Sequence, residues 1–148
     1  MPEDLNMATQ ISVFLENRAG RLGEVIGLLA RENVNLRAIS LADTSDFGIL
    51  RLMVNCPDKA EELLKRNSFT IGRTAVVVVE MADEPGSLDR LLSLLSPAGI
   101  NVEYMYAYAR RALSGAAMVF RFDDNEAAAS LLASNGFKIF SAQELAAF

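Results

Sequence analysis

Two six-residue stretches carry the side chains best placed for chemistry: Asp83-Glu84-Pro85-Gly86-Ser87-Leu88 and Asn17-Arg18-Ala19-Gly20-Arg21-Leu22. Each follows a run of strand-type residues and opens an apolar periodicity of helical spacing, so each is a strand-to-helix turn. Glycine in such a turn lets a backbone or a ligand approach where a Cβ would clash. The first N–H groups of the helix that follows have no intrahelical partner and carry partial positive charge. A small carboxylate suits that place. Asp83 or Glu84 can hold an ammonium group beside it, and Arg18 or Arg21 can add to carboxylate binding. A zwitterionic amino acid presents both groups at once. The plain alternative is a tight turn in which proline and glycine serve geometry while the charges stay solvated.

The elements around the two turns are duplicated. Gly20 and Gly86 stand 66 positions apart. At the same spacing Val13 matches Val79, Leu22 matches Leu88, Leu28 matches Leu94, Leu29 matches Leu95 and Asn35 matches Asn101. A period of this length seen twice indicates a duplicated small domain rather than a repeat array. The expected modules are residues 9–73 and 74–148.

Composition removes several classes of function. The chain of 148 residues has a net charge of −5, which disfavours a nucleic-acid partner. A hydrophobic content of 51% supplies ample core, yet no apolar run reaches the length of a membrane span. The first residues show no basic region followed by a long apolar one, so the expected location is cytoplasmic. There is no histidine and one cysteine, Cys56. That rules out an internal disulfide and removes the common zinc ligand sets and the usual general base. No metal, cofactor or catalytic residue is expected, and the chain does not read as an enzyme. Cys56 precedes Pro57 at a helix start, where a dipole can lower a thiol pKa, although free cysteine usually packs as a small apolar residue.

In order, the first module predicts strands at 11–15, 34–41, 49–54 and 69–71. Leu22, Val25, Ile26 and Leu29 form one helix face, and Ala60, Leu63 and Leu64 form a second. Asp43-Thr44-Ser45-Asp46 is a turn by composition. Gly72-Arg73-Thr74 then runs without a linker into a β-branched strand, Ala75 to Val79. The second module continues with Leu88, Leu91, Leu92 and Leu95 on a helix that Pro97 ends. Strands at 102–109 and 117–122 are joined by a loop through Arg110-Arg111. Asp123-Asp124 can cap a helix carrying Ala128, Leu131 and Leu132, and a last strand covers 137–140. Ser141 and Glu144 match a capping box. Each module therefore reads strand-helix-strand-strand-helix-strand. Right-handed crossovers make this an α+β chain of two ferredoxin-like βαββαβ modules, with antiparallel sheets and helices on one face.

The pattern Asp83, Pro85, Gly86, Leu88 after a first strand, followed by Gly99-Ile100-Asn101-Val102, resembles the ACT domain. Asn17, Ala19, Gly20, Leu22 and then Asn33-Val34-Asn35-Leu36 are similar to a looser copy of it. The resemblance spans nearly the whole chain as two tandem modules. It implies a small amino acid or related metabolite held at an interface between ACT modules, and a regulatory role toward an enzyme of amino-acid metabolism. The implied ligand-binding residues are Asn17, Arg18, Ala19, Gly20, Arg21 and Leu22, with Asp83, Glu84, Pro85, Gly86, Ser87 and Leu88. Asn17 and Ala19 depart from the pattern, so the second turn is the stronger candidate. The competing function is a structural interaction module with degenerate pockets that only mediates oligomerisation.

Tyr104, Tyr106 and Tyr108 alternate along one strand and share one face. If Met105 faces the helices, these tyrosines line the helix-free face with Val76 and Val78. Such a surface predicts a homodimer interface. RNA-recognition motifs share this element order, but the third strands lack their basic-aromatic signature. Gly23 and Gly27, four apart on the first helix, allow a groove for another helix or are simply tolerated.

Overall fold

The computed structural model describes residues 7–43, 46–108 and 116–147. Thr44 and Ser45 of the expected Asp43–Asp46 turn, the loop through Arg110-Arg111, Ala109 and the terminal Phe148 lie outside the described residues, whereas Asp43 is the last residue of a strand. The chain divides into two units: Thr9–Thr74 in one, and Ala75 onward in the other, which also holds Met7 and Ala8.

In the first unit the order is β1 (Ala8–Glu16), α1 (Arg21–Arg31), β2 (Leu36–Asp43), β3 (Phe47–Val54), α2 (Pro57–Arg66) and the leading residues of β4 (Thr70–Met81). The sheet runs β2-β3-β1, both pairs antiparallel. Ile11, Val13 and Leu15 point to the same face as Leu50 and Leu52. There they meet Val25 and Leu29 of α1 and Ala60, Leu63 and Leu64 of α2 in one core. Both helices therefore cover one side of the sheet. Pro57 opens α2 at a position where its missing N–H costs nothing.

The second unit repeats this with the rest of β4, then α3 (Ser87–Leu95), β5 (Val102–Tyr108), β6 (Ala116–Phe122), α4 (Asn125–Ser134), β7 (Ile139–Phe140) and α5 (Ala142–Ala146). Its strand order is β5-β6-β4-β7, and every pair is antiparallel. Val77, Val79, Phe120 and Phe122 pack with Leu91 and Leu95 of α3 and with Ala128 and Leu132 of α4. Each unit thus has the ferredoxin-like arrangement expected from the element order.

The duplication extends to the backbone. In α1 the Val34 N–H bonds the Leu29 carbonyl and Asn33 N–H bonds Ala30; in α2 Phe69 bonds Leu64 and Ser68 bonds Lys65. The same pair recurs after α3 (Ile100 to Leu95, Gly99 to Ser96) and α4 (Phe137 to Leu132, Gly136 to Ala133). These are Schellman stops, which need a left-handed residue. The second unit uses Gly99 and Gly136 there, whereas the first uses Asn33 and Ser68 at φ 61° and 68°.

Strand ends differ from the sequence expectation, β1 starting at Ala8 rather than Ile11 and β2 running Leu36–Asp43 rather than 34–41; three further features differ. The strands expected at 69–71 and 75–79 are one strand, β4, because Gly72-Arg73-Thr74 contains no turn-forming combination and stays extended. The last strand holds only Ile139 and Phe140, since the Schellman stop at Gly136 takes up Phe137. Third, the apolar stripes of α1 and α3 are wider than the cores they cover. Val25, Leu29, Leu91 and Leu95 are buried, while Leu22, Leu88 and Leu92 are 36–37% exposed.

The capping signals are realised. Asp124 Oδ1 accepts the Ala127 N–H, and Asp123 Oδ1 instead accepts from Asn101 N, tying β5 to the end of β6. Ser141 and Glu144 form a complete capping box on α5. The ammonium of Lys138 and the Ser141 N–H hold the Glu144 carboxyl below its ordinary value. That contribution to anchoring α5 is present above the usual glutamate range and is lost as pH falls below it.

Candidate ligand site

Gly20 and Gly86 have the same backbone, φ 90° and 89°, in the left-handed region. A Cβ on either would meet no protein atom within 4 Å. Among the described residues, no segment makes the close approach that the sequence suggested. The glycines are required by their dihedrals, and the space beside them is open. Neither α1 nor α3 has a side-chain cap, in contrast to α4 and α5. Both turns therefore keep a helix N-terminus free of a side-chain acceptor.

The side chains around the two turns differ. At the first, Arg21 bonds Glu24 and lies 3.6 Å from Glu16, while Arg18 sits 3.3 Å from Glu16. The Arg21 guanidinium also lies over the Phe69 ring, 4.9 Å from its centroid. Its Nε is buried and, at 3.6 Å from Glu16, beyond hydrogen-bonding reach. The expected carboxylate binder is thus engaged by the chain's own acids. A shallow depression of about 550 Å³ beside it is lined by Gly20, Arg21, Gly23, Glu24, Leu28, Arg31, Asn67 and Phe69. Asn17, Ala19 and Leu22 do not line it. Gly27 lies under the Arg31 side chain, 3.2 Å from a Cβ position, whereas among the described residues nothing lies within 4 Å of one on Gly23.

At the second turn Ser87 replaces Arg21 and Arg90 replaces Glu24. Arg90 takes the cation–aromatic role, 5.0 Å from the centroid of Phe137. Ser87 is buried and its hydroxyl donates to the Ala82 carbonyl at 2.6 Å, closing the turn. Among the described residues, no ion pair involves Asp83 or Glu84. These acids stand between two depressions. One of about 180 Å³ is lined by Met81, Ala82, Asp83, Glu84, Ser87, Leu88, Ala116 and Met118. The other, about 430 Å³, adds Glu80, Arg90, Gly136, Phe137 and Lys138 to the wall they share. Pro85 and Gly86 shape the turn without lining either. Sequence reasoning missed Met81, Ala82, Ala116 and Met118. β4 pairs with β6 so that Met81 faces Ala116 and Val79 faces Met118, a long-range register.

The chain's likeness to known proteins agrees with this architecture. A match to a family described as an ACT domain pair spans residues 7–148. The chain belongs to the ACT domain pair family. A crystal structure of a protein from Bacteroides thetaiotaomicron is 39% identical, covers 97% of this chain and 98% of its own, and superposes with a TM-score of 0.89. The ligand-free regulatory subunit of aspartate kinase from Thermus thermophilus is 16% identical over 89% of this chain and 95% of its own, TM-score 0.63. Its counterpart from Thermus flavus is 17% identical over 88% and 93%, TM-score 0.58. At such identities these two share the ACT fold alone. No curated protein matches the chain.

The remaining expected residues lie on the sheet face away from the helices. Met105 packs against the helix-side core, whereas Tyr104, Tyr106, Val76 and Val78 are not part of it. Val76 and Val78 are fully buried and Tyr108 is 5% exposed; Tyr104 and Tyr106 are half-buried, their rings stacked 6.5 Å apart. Cys56 is half-buried, packs against the first core and donates its Sγ–H to Asn55 Oδ1. Among the described residues, no cluster of metal-ligating side chains and no membrane-spanning helix occurs.

Proposed function

We propose that the chain is a regulatory protein that binds a free amino acid, or a closely related metabolite, at the Gly86 turn. The observation that carries this reading is the contrast between the turns: among the described residues Asp83 and Glu84 form no ion pair and line a small pocket, whereas Arg21 is engaged by Glu16 and Glu24. The pair of acids suits an α-ammonium, and the uncapped start of α3 suits an α-carboxylate. The engaged first turn favours a purely structural role for that copy. By analogy with regulatory subunits of the same fold, the target is an enzyme of amino-acid metabolism, and the chain carries no reaction of its own. The twenty amino acids at millimolar concentration test this reading. At least one should raise the melting temperature by several degrees, and silence from all of them favours the structural module.

A homodimer through the Tyr104–Tyr106 part of the helix-free face is part of the proposal, supported by their stacked rings and remaining exposed surface; Val76, Val78 and Tyr108 are already buried within the single chain and add no contact area to it. Burying an uncompensated charge there costs several kcal/mol, of order 2–7 for a polar group and more for an ion. Light scattering should therefore find a wild-type dimer and a Tyr106→Glu monomer. A monomeric wild type at micromolar concentration, or a dimeric variant, counts against that interface.

A further inference from the structure

We infer that the pocket beside Gly86 selects an amino acid with an aliphatic or thioether side chain, an inference that rests on the amino-acid reading above. Ligand pockets of drug size span about 300–1,000 Å³. At about 180 Å³ this open depression is on the scale of one small-molecule side chain. Its polar lining is Asp83, Glu84 and Ser87 from the turn. The rest of the lining is apolar: Met81 and Met118 from the helix-side surface of the sheet, Ala116 paired with Met81, and Ala82 and Leu88 from either end of the turn.

The polar inventory decides which side chain this wall accepts. Ser87 has its hydroxyl proton committed to the Ala82 carbonyl, so it is not a free donor for a ligand hydroxyl. Among the described residues no cation lines the pocket, and Arg90 and Lys138 belong to the neighbouring depression across the acidic wall. An acidic side chain would find two carboxylates and no partner. Once the α-ammonium faces Asp83 and Glu84, a basic side chain would set its charge against methionine and leucine. An aliphatic side chain instead covers Leu88, which is 37% exposed.

Calorimetry on the full chain with L-isoleucine, L-methionine, L-alanine, L-lysine and L-aspartate tests this. Isoleucine and methionine should bind at least about tenfold more tightly than alanine, since a missing methylene costs about 10–200-fold in an apolar pocket. Lysine and aspartate should be weaker still. Ala116→Asp alters the apolar wall at an exposed position that leaves the core untouched, and should weaken isoleucine while strengthening lysine. Lysine or aspartate matching isoleucine on the wild type, or Ala116→Asp leaving isoleucine unchanged, overturns the selectivity alone. No heat from any of the five overturns the selectivity, and silence from all twenty amino acids overturns the amino-acid reading with it.

Discussion

Phe120→Ala should cost about 3–5 kcal/mol, the range for emptying a buried aromatic site. Phe120 is fully buried at the centre of β6 and stacks on Phe122 with ring centroids 5.2 Å apart. It faces Val77 on β4 and Met105 on β5, so its ring joins three strands beneath α3 and α4. The surrounding backbone is tied by sheet hydrogen bonds and can collapse only partly into the space left behind. At about 2–4 °C per kcal/mol for a chain of this size, the melting temperature should fall by roughly 6–20 °C. A fall of only a degree or two would contradict the placement of Phe120 in this core.

The second large effect concerns the turns. Gly86→Val and Gly20→Val should each lower the stability of the free protein by about 1–2 kcal/mol, because both glycines have φ near 90°. Their consequences for binding should differ. At 100 times Kd a bound amino acid adds about 2.7 kcal/mol to stability. In Gly86→Val this increment should vanish. The valine branches would enter space that no protein atom occupies, and the strained turn would displace Asp83, Glu84 and Ser87 from the pocket they line. In Gly20→Val it should survive intact, measured against that variant's own ligand-free melting temperature. Equal loss in both variants would mean that the turns act together.

Much of this was legible in the sequence because it is local. The Asp124 cap and the Ser141–Glu144 capping box follow from residues within a few positions of each other. The two ferredoxin-like modules follow from periodicity and order. What was not legible depends on register. Nothing near Met81 in sequence announces that Ala116 and Met118 complete its pocket, since β4–β6 pairing joins residues 35 and more positions apart. The arginine content of the first turn suggested anion binding, yet the same residues sit beside Glu16 and Glu24, which engage them. Leu22 and Leu88 fit the buried helix face by spacing, but the cores end one turn later. The side-chain stripe is a property of the helix, whereas its coverage is a property of the sheet beneath it.

Titration calorimetry with the amino acid that gives the largest thermal shift tests the central claim most directly, through its stoichiometry. One site per chain is the predicted result, unchanged by Gly20→Val and lost in Gly86→Val. Two equivalent sites per chain, or a single site that Gly86→Val leaves intact, would contradict it.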